Sequence, residues 1–328
     1  AYYIHSHLEL EPNKSQEWYT VAEINQDSTA VANLDLFIKN TSDLAEQIEK
    51  DVDRGPENLR RMVSAADGMQ VTNTEICTAR HYSNTLYNIM RGGIYPNNYV
   101  VDVDDFKLYL SQINSRLAQE MKSWAAGIKD DIAYPELVDL ANATGNADLI
   151  RITSEYLPLT FSRRHGDPSR PWNIFSIETK TDGNNIKYNY QGNWRDIFQN
   201  WEALCLSFPE FTEGIISKFV NASTIDGYNP YRIMREGVDW ESPDPDDPWA
   251  YIGYWGDHQI IYLLKLLELS VAYHPGKLVE LMTRDLFVYT NVPYVIKPYD
   301  EILRNPKDTV VFNHDLNAEI RSGMQSLG

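Results

Sequence analysis

The pattern of apolar and polar positions divides the chain into a short strand-like start and a long helical remainder. Residues 1 to about 30 include Tyr2, Ile4 and the run Glu17–Ile24, which are rich in β-branched and aromatic residues and are separated by turn residues. Two strands do not form a stable sheet alone, so we expect them to complete a sheet outside this chain. From about residue 31 onward, apolar residues recur at helical spacing.

The clearest amphipathic helix is predicted over Asp102–Ile128, and its first turn is acidic, as the helix dipole favours. Further along, four helices are predicted in two pairs, each pair broken at a proline. They are Trp194–Ser207 with Phe211–Asn221, and Asp257–Tyr273 with Gly276–Phe287. Residues 260–267 are apolar almost all round, which predicts a buried inner helix.

Two long irregular segments, 155–193 and 222–256, adjoin the helix pairs. Paired helices with long loops at one end and short loops at the other indicate a toroid built from helical hairpins. The chain is too short after Phe287 to close a full ring. The sequence therefore predicts a mainly α fold with an incomplete toroid.

Charge and composition exclude several classes of function. The net charge of −18 disfavours binding to nucleic acid or to anionic membranes. The two cysteines, Cys77 and Cys205, form no metal-binding or disulfide pattern, and no apolar run is long enough to span a membrane. Because the chain starts without Met or a signal peptide, we expect it to be a segment of a longer protein, in the cytoplasm.

The first candidate site is the helix that begins at Trp194. Its apolar stripe is typical of a packed helix, but Arg195, Asp196, Gln199 and Asn200 form a polar edge close to its start. Such groups can converge on one ligand. The alternative is an ordinary helix with a solvated polar face.

The second candidate is the start of the next inner helix. Asp257 occupies a natural N-cap position, and Tyr254, Trp255 and His258 lie close to the same end. A simple N-cap would explain Asp257 but leaves the other three residues unexplained.

A third feature is the concentration of tryptophans in this half of the chain, since six of the eight lie between Trp172 and Trp255. Aromatic rings such as Trp240, placed beside carboxylates and amides, are typical of sugar binding, where rings stack on C–H faces and polar groups bind hydroxyls. The acidic run Asp244, Asp246 and Asp247 suits Ca²⁺, but without a binding-loop pattern a solvated loop is favoured and no metal site is predicted.

A fourth feature is a local excess of positive charge on a very acidic chain. It consists of Arg163, Arg164, His165 and Arg170. These side chains either bind an anionic group or neutralise the acidic loops within the protein.

The segments NWRDIFQN and YWGDHQIIYLL resemble the inverting glycoside phosphorylases related to cellobiose phosphorylase. Arg195, Asp196 and Gln199 match an Arg-Asp-x-x-Gln-Asp segment of that family, and Asp257 and His258 match the start of its next inner helix. The resemblance covers roughly residues 190–267. Asn200 stands where the family has a second, sugar-contacting Asp.

The resemblance implies an architecture and a site. Residues 1–30 would end an N-terminal β-sandwich, residues 31–155 would form a helical linker region, and residues 156–328 would begin an (α/α)6 barrel. The substrate-binding residues would be those of the two helix starts, with Trp194, Trp240 or Trp255 as an aromatic wall. The family's general acid lies in a Trp-Asn-Asp motif that this chain lacks, so we expect the proton donor outside it.

The function expected from this resemblance is that of an enzyme segment acting on glucosides with inorganic phosphate as co-substrate and no cofactor. The expected partners are an oligosaccharide or glycoside and the part of the protein, or another chain, that completes the barrel. The alternatives are an inverting glycoside hydrolase and a non-catalytic carbohydrate-binding or scaffold protein on the same fold.

Overall fold

The computed structural model describes residues 3, 5–22, 26–65, 68–129, 131–160, 186–240, 246, 260–306 and 308–327. Helices dominate the described chain and the strands are few and short, which confirms the predicted mainly α fold class. In the part of the chain described, no helix combines the length and hydropathy that a membrane crossing requires. The chain divides into two compact units, Ala1–Arg61 and Met62–Gly328.

The described helices run in chain order from α1 to α14. They are α1 Ser28–Asn40, α2 Leu44–Ala65, α3 Glu75–Gly92, α4 Val103–Ile113, α5 Ser115–Glu120, α6 Lys122–Ala126, α7 Tyr134–Thr144, α8 Ala147–Ser154, α9 Trp194–Cys205, α10 Thr212–Asn221, α11 Ile260–Tyr273, α12 Lys277–Met282, α13 Tyr299–Arg304 and α14 His314–Leu327.

The described strands are all three residues long and pair only in antiparallel fashion. They are β1 Val100–Asp102 with β2 Asp131–Ala133, then β3 Gln191–Asn193, β4 Arg232–Met234 and β5 Gly237–Asp239 in that order across one sheet, and β6 Tyr294–Ile296 with β7 Val310–Phe312.

The first unit has little packed interior among its described residues. Helix α1 is capped by Asp27, whose Oδ1 accepts a hydrogen bond from the amide of Ala30 at 2.7 Å, yet none of its side chains is buried. The segment 5–22 contains no strand, in contrast to the strand-like pattern of its sequence. A β-strand needs a hydrogen-bonding neighbour, and the described part of this unit offers none.

The second unit contains the core. In the segment from β1 to just after α8, the rings of Phe106 and Tyr156 pack edge to face with centroids 5.3 Å apart, and Tyr109 packs against Tyr156 at 5.2 Å. Helix α10 approaches this segment closely: a Cβ on Gly214 would lie 2.1 Å from the backbone oxygen of Ser154. Only glycine permits this contact between α10 and the end of α8.

Helices α9, α10 and α11 alternate in direction. Tyr262, near the start of α11, is close enough to Arg195 and Asp196 at the start of α9 for their charges to affect its pKa. At the other end of α11, Ser270 donates a hydrogen bond to Glu213 at the start of α10. Helices α9 and α11 therefore run in parallel, with α10 antiparallel to both. This is the order expected of consecutive hairpins, and α9 and α10 confirm the first predicted hairpin.

The predicted helix Asp102–Ile128 is interrupted in the structure. Asn114 adopts an extended backbone conformation and ends α4, and its Oδ1 accepts the amide of Leu117 at 2.9 Å to cap α5. The helical period continues through this point, but the asparagine side chain competes for backbone hydrogen bonds and starts a new helix.

Three further expectations are corrected. Helix α12 ends at Met282 rather than near Phe287. Directly after its last residue, the hydroxyl of Thr283 donates a hydrogen bond to the carbonyl oxygen of Glu280 at 2.8 Å. The predicted loop 222–256 contains the β4–β5 hairpin, which sequence analysis missed because its strands are only three residues long. Helix α11 is not buried all round: Ile260, Leu264 and Val271 are exposed, while Leu266 and Ser270 face the core.

Candidate functional site

The sheet β3–β4–β5 positions the start of α9. The amide of Trp194 donates to the carbonyl oxygen of Tyr231 at 2.9 Å, so α9 begins directly beside the hairpin. Gly192 is buried against Ile197, whose side chain would lie 3.1 Å from a Cβ at that position. These contacts hold the end of β3 in place, and they therefore determine the direction in which α9 leaves the sheet.

Two ion pairs lie at this end of α9. Arg195 Nε is 3.7 Å from Asp196 Oδ1, and the Asp196 side chain is only 9% exposed. The second pair lies on the sheet, where Arg232 Nε donates to Asp239 Oδ2 at 2.8 Å. Arg232 is in register with Asp239 on one side and with Asn193, the residue before α9, on the other. Alternating cationic and anionic groups can bind the hydroxyls of a polar ligand as donors and acceptors.

The start of α11 supplies a fifth polar group, Tyr262. Desolvation raises the pKa of this phenol, and the nearby Asp196 and Glu202 raise it further while Arg195 lowers it. The phenol therefore remains protonated at neutral pH and can donate a hydrogen bond. We call Arg195, Asp196, Arg232, Asp239 and Tyr262 the polar rim.

Sequence analysis identified Arg195 and Asp196 but missed the other three rim residues. Arg232 and Asp239 lie in strands that are too short for a strand pattern, and Tyr262 belongs to a stretch that looked wholly apolar. Their proximity to α9 depends on contacts between distant parts of the chain.

The other predicted residues of α9 have different environments. Gln199 is exposed, whereas Asn200 is buried and its Nδ2 donates to the backbone oxygen of Asp196 at 2.8 Å. The Asn200 amide is therefore engaged with its own helix. Gln199 remains accessible to a ligand.

Trp194 is a core residue, which corrects its assignment to an aromatic wall. Its side chain is completely buried, with ring centroids 4.6 Å from Phe198 and 5.1 Å from Phe219. A ring enclosed in this way has no free face on which a sugar could stack.

Trp240 lies after β5, in an aromatic cluster separate from the α9 packing. Its ring stacks on Tyr294 with a centroid distance of 5.4 Å and an interplanar angle of 15°, and Tyr228 lies 5.6 Å away. The ring is partly buried, so one side of it is already occupied by protein.

The remaining predicted residues lie outside the described residues. They are Trp255, Asp257 and His258 of the second candidate, the cationic group Arg163, Arg164, His165 and Arg170, and Asp244 and Asp247 of the acidic run. Among the residues that are described, no group of three or more His, Cys, Asp or Glu side chains is arranged to hold a metal ion.

A second polar cluster, which the sequence did not indicate, lies at the opposite end of α11. Glu213 accepts a hydrogen bond from Ser270 Oγ at 2.5 Å and lies 2.9 Å from His274 Nδ1, and His274 Nε2 is 3.7 Å from Glu210. Glu210, Glu213 and His274 line a cavity of about 300 Å³ between α7, α8, α10 and α12. The imidazole lies beside both carboxylates and thereby connects the residue after α11 to the start of α10.

Comparison with known families relates one segment of the chain to carbohydrate-active enzymes. The family described as glycoside hydrolase family 149 insertion domain 1 matches residues 95–158, about a fifth of the chain. This segment holds β1 to α8 and supplies one wall of the 300 Å³ cavity. No curated protein matches the chain.

Proposed function

We propose that this chain is part of an inverting glycoside phosphorylase acting on glucosides, and that the polar rim binds the sugar at the non-reducing end. The observation that carries the proposal is the nearly buried Arg195–Asp196 pair at the start of α9, beside the hairpin and Tyr262. The family match of residues 95–158 supports the broader assignment to a carbohydrate-active enzyme.

The rim is suited to binding and positioning a sugar. A carboxylate with little solvent exposure forms strong hydrogen bonds to hydroxyls, and a guanidinium fixes their direction. Gln199 adds an exposed amide on the same helix. We propose that Asp257 and His258 complete the sugar site, with Trp240 or Trp255 covering one face of the ring.

The chemical step follows from the resemblance noted above. A carboxylic acid outside this chain protonates the glycosidic oxygen while inorganic phosphate attacks the anomeric carbon from the opposite face. The products are a sugar 1-phosphate of inverted configuration and a shortened acceptor. An inverting hydrolase would use water and a second carboxylate, about 6.5–9.5 Å from the first.

The proposal is tested with the complete protein, incubated with a panel of β-linked glucosides with and without inorganic phosphate. We expect sugar 1-phosphate in the α configuration only when phosphate is present, detected by phosphorus NMR and by the proton spectrum of the fresh product. Sulfate at equal ionic strength serves as the control, because it screens charge equally but is not transferred.

Other outcomes would identify the alternatives. Free sugar released at the same rate without phosphate would show hydrolysis and overturn the phosphorolysis proposal. Saturable sugar binding without turnover of any glucoside would indicate a binding protein.

A further inference from the structure

A cavity of about 160 Å³ lies where α4, α8, α10 and the β4–β5 hairpin meet. Three cationic side chains line it, Arg151, Lys218 and Arg235, together with one carboxylate, Glu155. Such an excess of positive charge is notable in a chain with a net charge of −18. Lys218 and Arg235 are at most 8% exposed, and Arg151 is largely buried.

Two of the three cations have carboxylate partners. Arg235 Nη2 donates to Asp105 Oδ2 at 2.7 Å. Arg151 lies 3.3 Å from Asp148 and 3.7 Å from Glu155. The charges of these two arginines are therefore compensated within the protein.

Lys218 differs from both arginines. Its Nζ donates to the hydroxyl of Tyr109 at 3.3 Å and lies 5.7 Å from the centroid of the Tyr190 ring. Among the described residues, Lys218 forms no ion pair within 4 Å. The carboxylate of Glu155 instead accepts a hydrogen bond from Asn221 Nδ2 at 2.5 Å. Lys218 therefore has a hydrogen bond and a ring contact but no direct ion pair among the described residues.

Lys218 remains charged in spite of its burial. Burial lowers its pKa, but Tyr109, Tyr190 and Glu155 raise it, and the resulting pKa lies above the ordinary value. Arg235 also has an unpaired donor, since its buried Nε has no hydrogen-bond partner among the described residues. The cavity thus combines a buried cation that has no direct ion-pair partner among the described residues with an unused N–H group.

We propose that this cavity binds one inorganic oxyanion of the phosphate class, with Lys218 as its principal ligand and the two arginines beside it. At roughly 30 Å³ per water molecule in the liquid, the cavity has room for about five waters, which suits an anion of five heavy atoms. The anion would give Lys218 a direct anionic contact. It would also connect segment 95–158 to α10 and the hairpin.

This site differs from that of a phosphate co-substrate. The cavity residues belong to α8, α10 and the hairpin turn rather than to the polar rim, and the inference does not require that the enzyme catalyse phosphorolysis. A co-substrate phosphate must lie beside the anomeric carbon of the sugar. Failure of the phosphorolysis assay would therefore leave this proposal intact.

The test measures binding of radiolabelled inorganic phosphate to the complete protein by equilibrium dialysis. We expect one class of sites that binds one phosphate per chain. Lys218→Met should raise the dissociation constant of this class at least about tenfold, because a charge-assisted hydrogen bond is lost. Lys265→Met is the matched control, since that lysine is half exposed on α11 and pairs with Glu268. Asp196→Asn should leave this class of sites unchanged.

Two further measurements keep the test decisive. If Lys218→Met does not fold, Arg151→Gln replaces it, since the Arg151 side chain reaches solvent at 17% exposure. Crystals soaked in selenate should show an anomalous peak within hydrogen-bond distance of Lys218 Nζ. Equal phosphate binding by wild type and Lys218→Met, or an empty cavity at saturating selenate, would overturn the proposal.

Discussion

Arg235 and Asp105 form a nearly buried ion pair between residues 130 positions apart, with Arg235 Nη2 donating to Asp105 Oδ2 at 2.7 Å. The hydroxyl of Tyr156 donates to the same carboxylate oxygen at 2.5 Å. These bonds attach the turn of the β4–β5 hairpin to the segment that matches the glycoside hydrolase family. The hairpin in turn positions the start of α9.

Removing the guanidinium should therefore destabilise the protein strongly. We expect Arg235→Met to lower the free energy of unfolding by about 3–5 kcal/mol, because Asp105 would be left as an uncompensated buried charge. Chemical denaturation followed by circular dichroism measures this change. Arg116→Met is the control, since that side chain is 82% exposed and its pair with Glu120 should contribute less than about 1 kcal/mol. Equal effects of the two substitutions would contradict the prediction.

The same carboxylate should make stability depend on pH. Desolvation raises the pKa of Asp105 above its ordinary value of 3.8, against the opposing effects of Arg235 and Tyr156. A group whose pKa is raised on folding contributes most stability below its unfolded pKa and loses that contribution as the pH rises through the folded pKa. The difference in unfolding free energy between wild type and Asp105→Asn should therefore fall as the pH rises from about 3. A difference that grows over this range would show that the ion pair outweighs desolvation.

Gly214 should tolerate no side chain. In Gly214→Ala the new Cβ would lie 2.1 Å from the backbone oxygen of Ser154, so α10 must move away from α8. We expect a loss of about 1–3 kcal/mol of stability, as for other overpacked sites. Gly323→Ala in α14 meets no atom within 4 Å and should be neutral or stabilising by up to about 1 kcal/mol. Thermal melts of the two variants provide the comparison.

Asp196→Asn tests the polar rim. If the carboxylate binds a sugar hydroxyl, the variant should stay folded and lose about 1.5–3 kcal/mol of binding, or roughly 10- to 150-fold in kcat/KM. Asp104→Asn is the matched control, because Asp104 also lies in a first helical turn but its side chain is 90% exposed. A large drop in melting temperature with unaltered sugar affinity would instead assign Asp196 a structural role.

The two cysteines should differ in reactivity. Burial raises the pKa of the Cys205 thiol to about 12, whereas Cys77 is exposed. Because the thiolate is the reactive form, a chromogenic disulfide reagent at neutral pH should modify only Cys77 in the native protein and both thiols in denaturant. Rapid modification of Cys205 in the native protein would show that α9 opens locally.

The sequence by itself determined the helices with strong local signals. The apolar stripe of α9 and the proline before α10 predicted that hairpin, and the acidic start predicted where α4 begins. These features depend on neighbours within one or two turns, and helical periodicity and capping report such interactions directly. The polar residues Arg195 and Asp196 were found for the same reason.

Only the tertiary structure decided which residues meet. The burial of Trp194, the proximity of Tyr262 to Asp196, and the bond from Arg235 to Asp105 join parts of the chain that are far apart in sequence. The period of α9 marks Trp194 as apolar but does not say whether its ring faces core or ligand. That choice depends on which distant side chains enclose it, because burial is a property of the packed chain rather than of any local pattern.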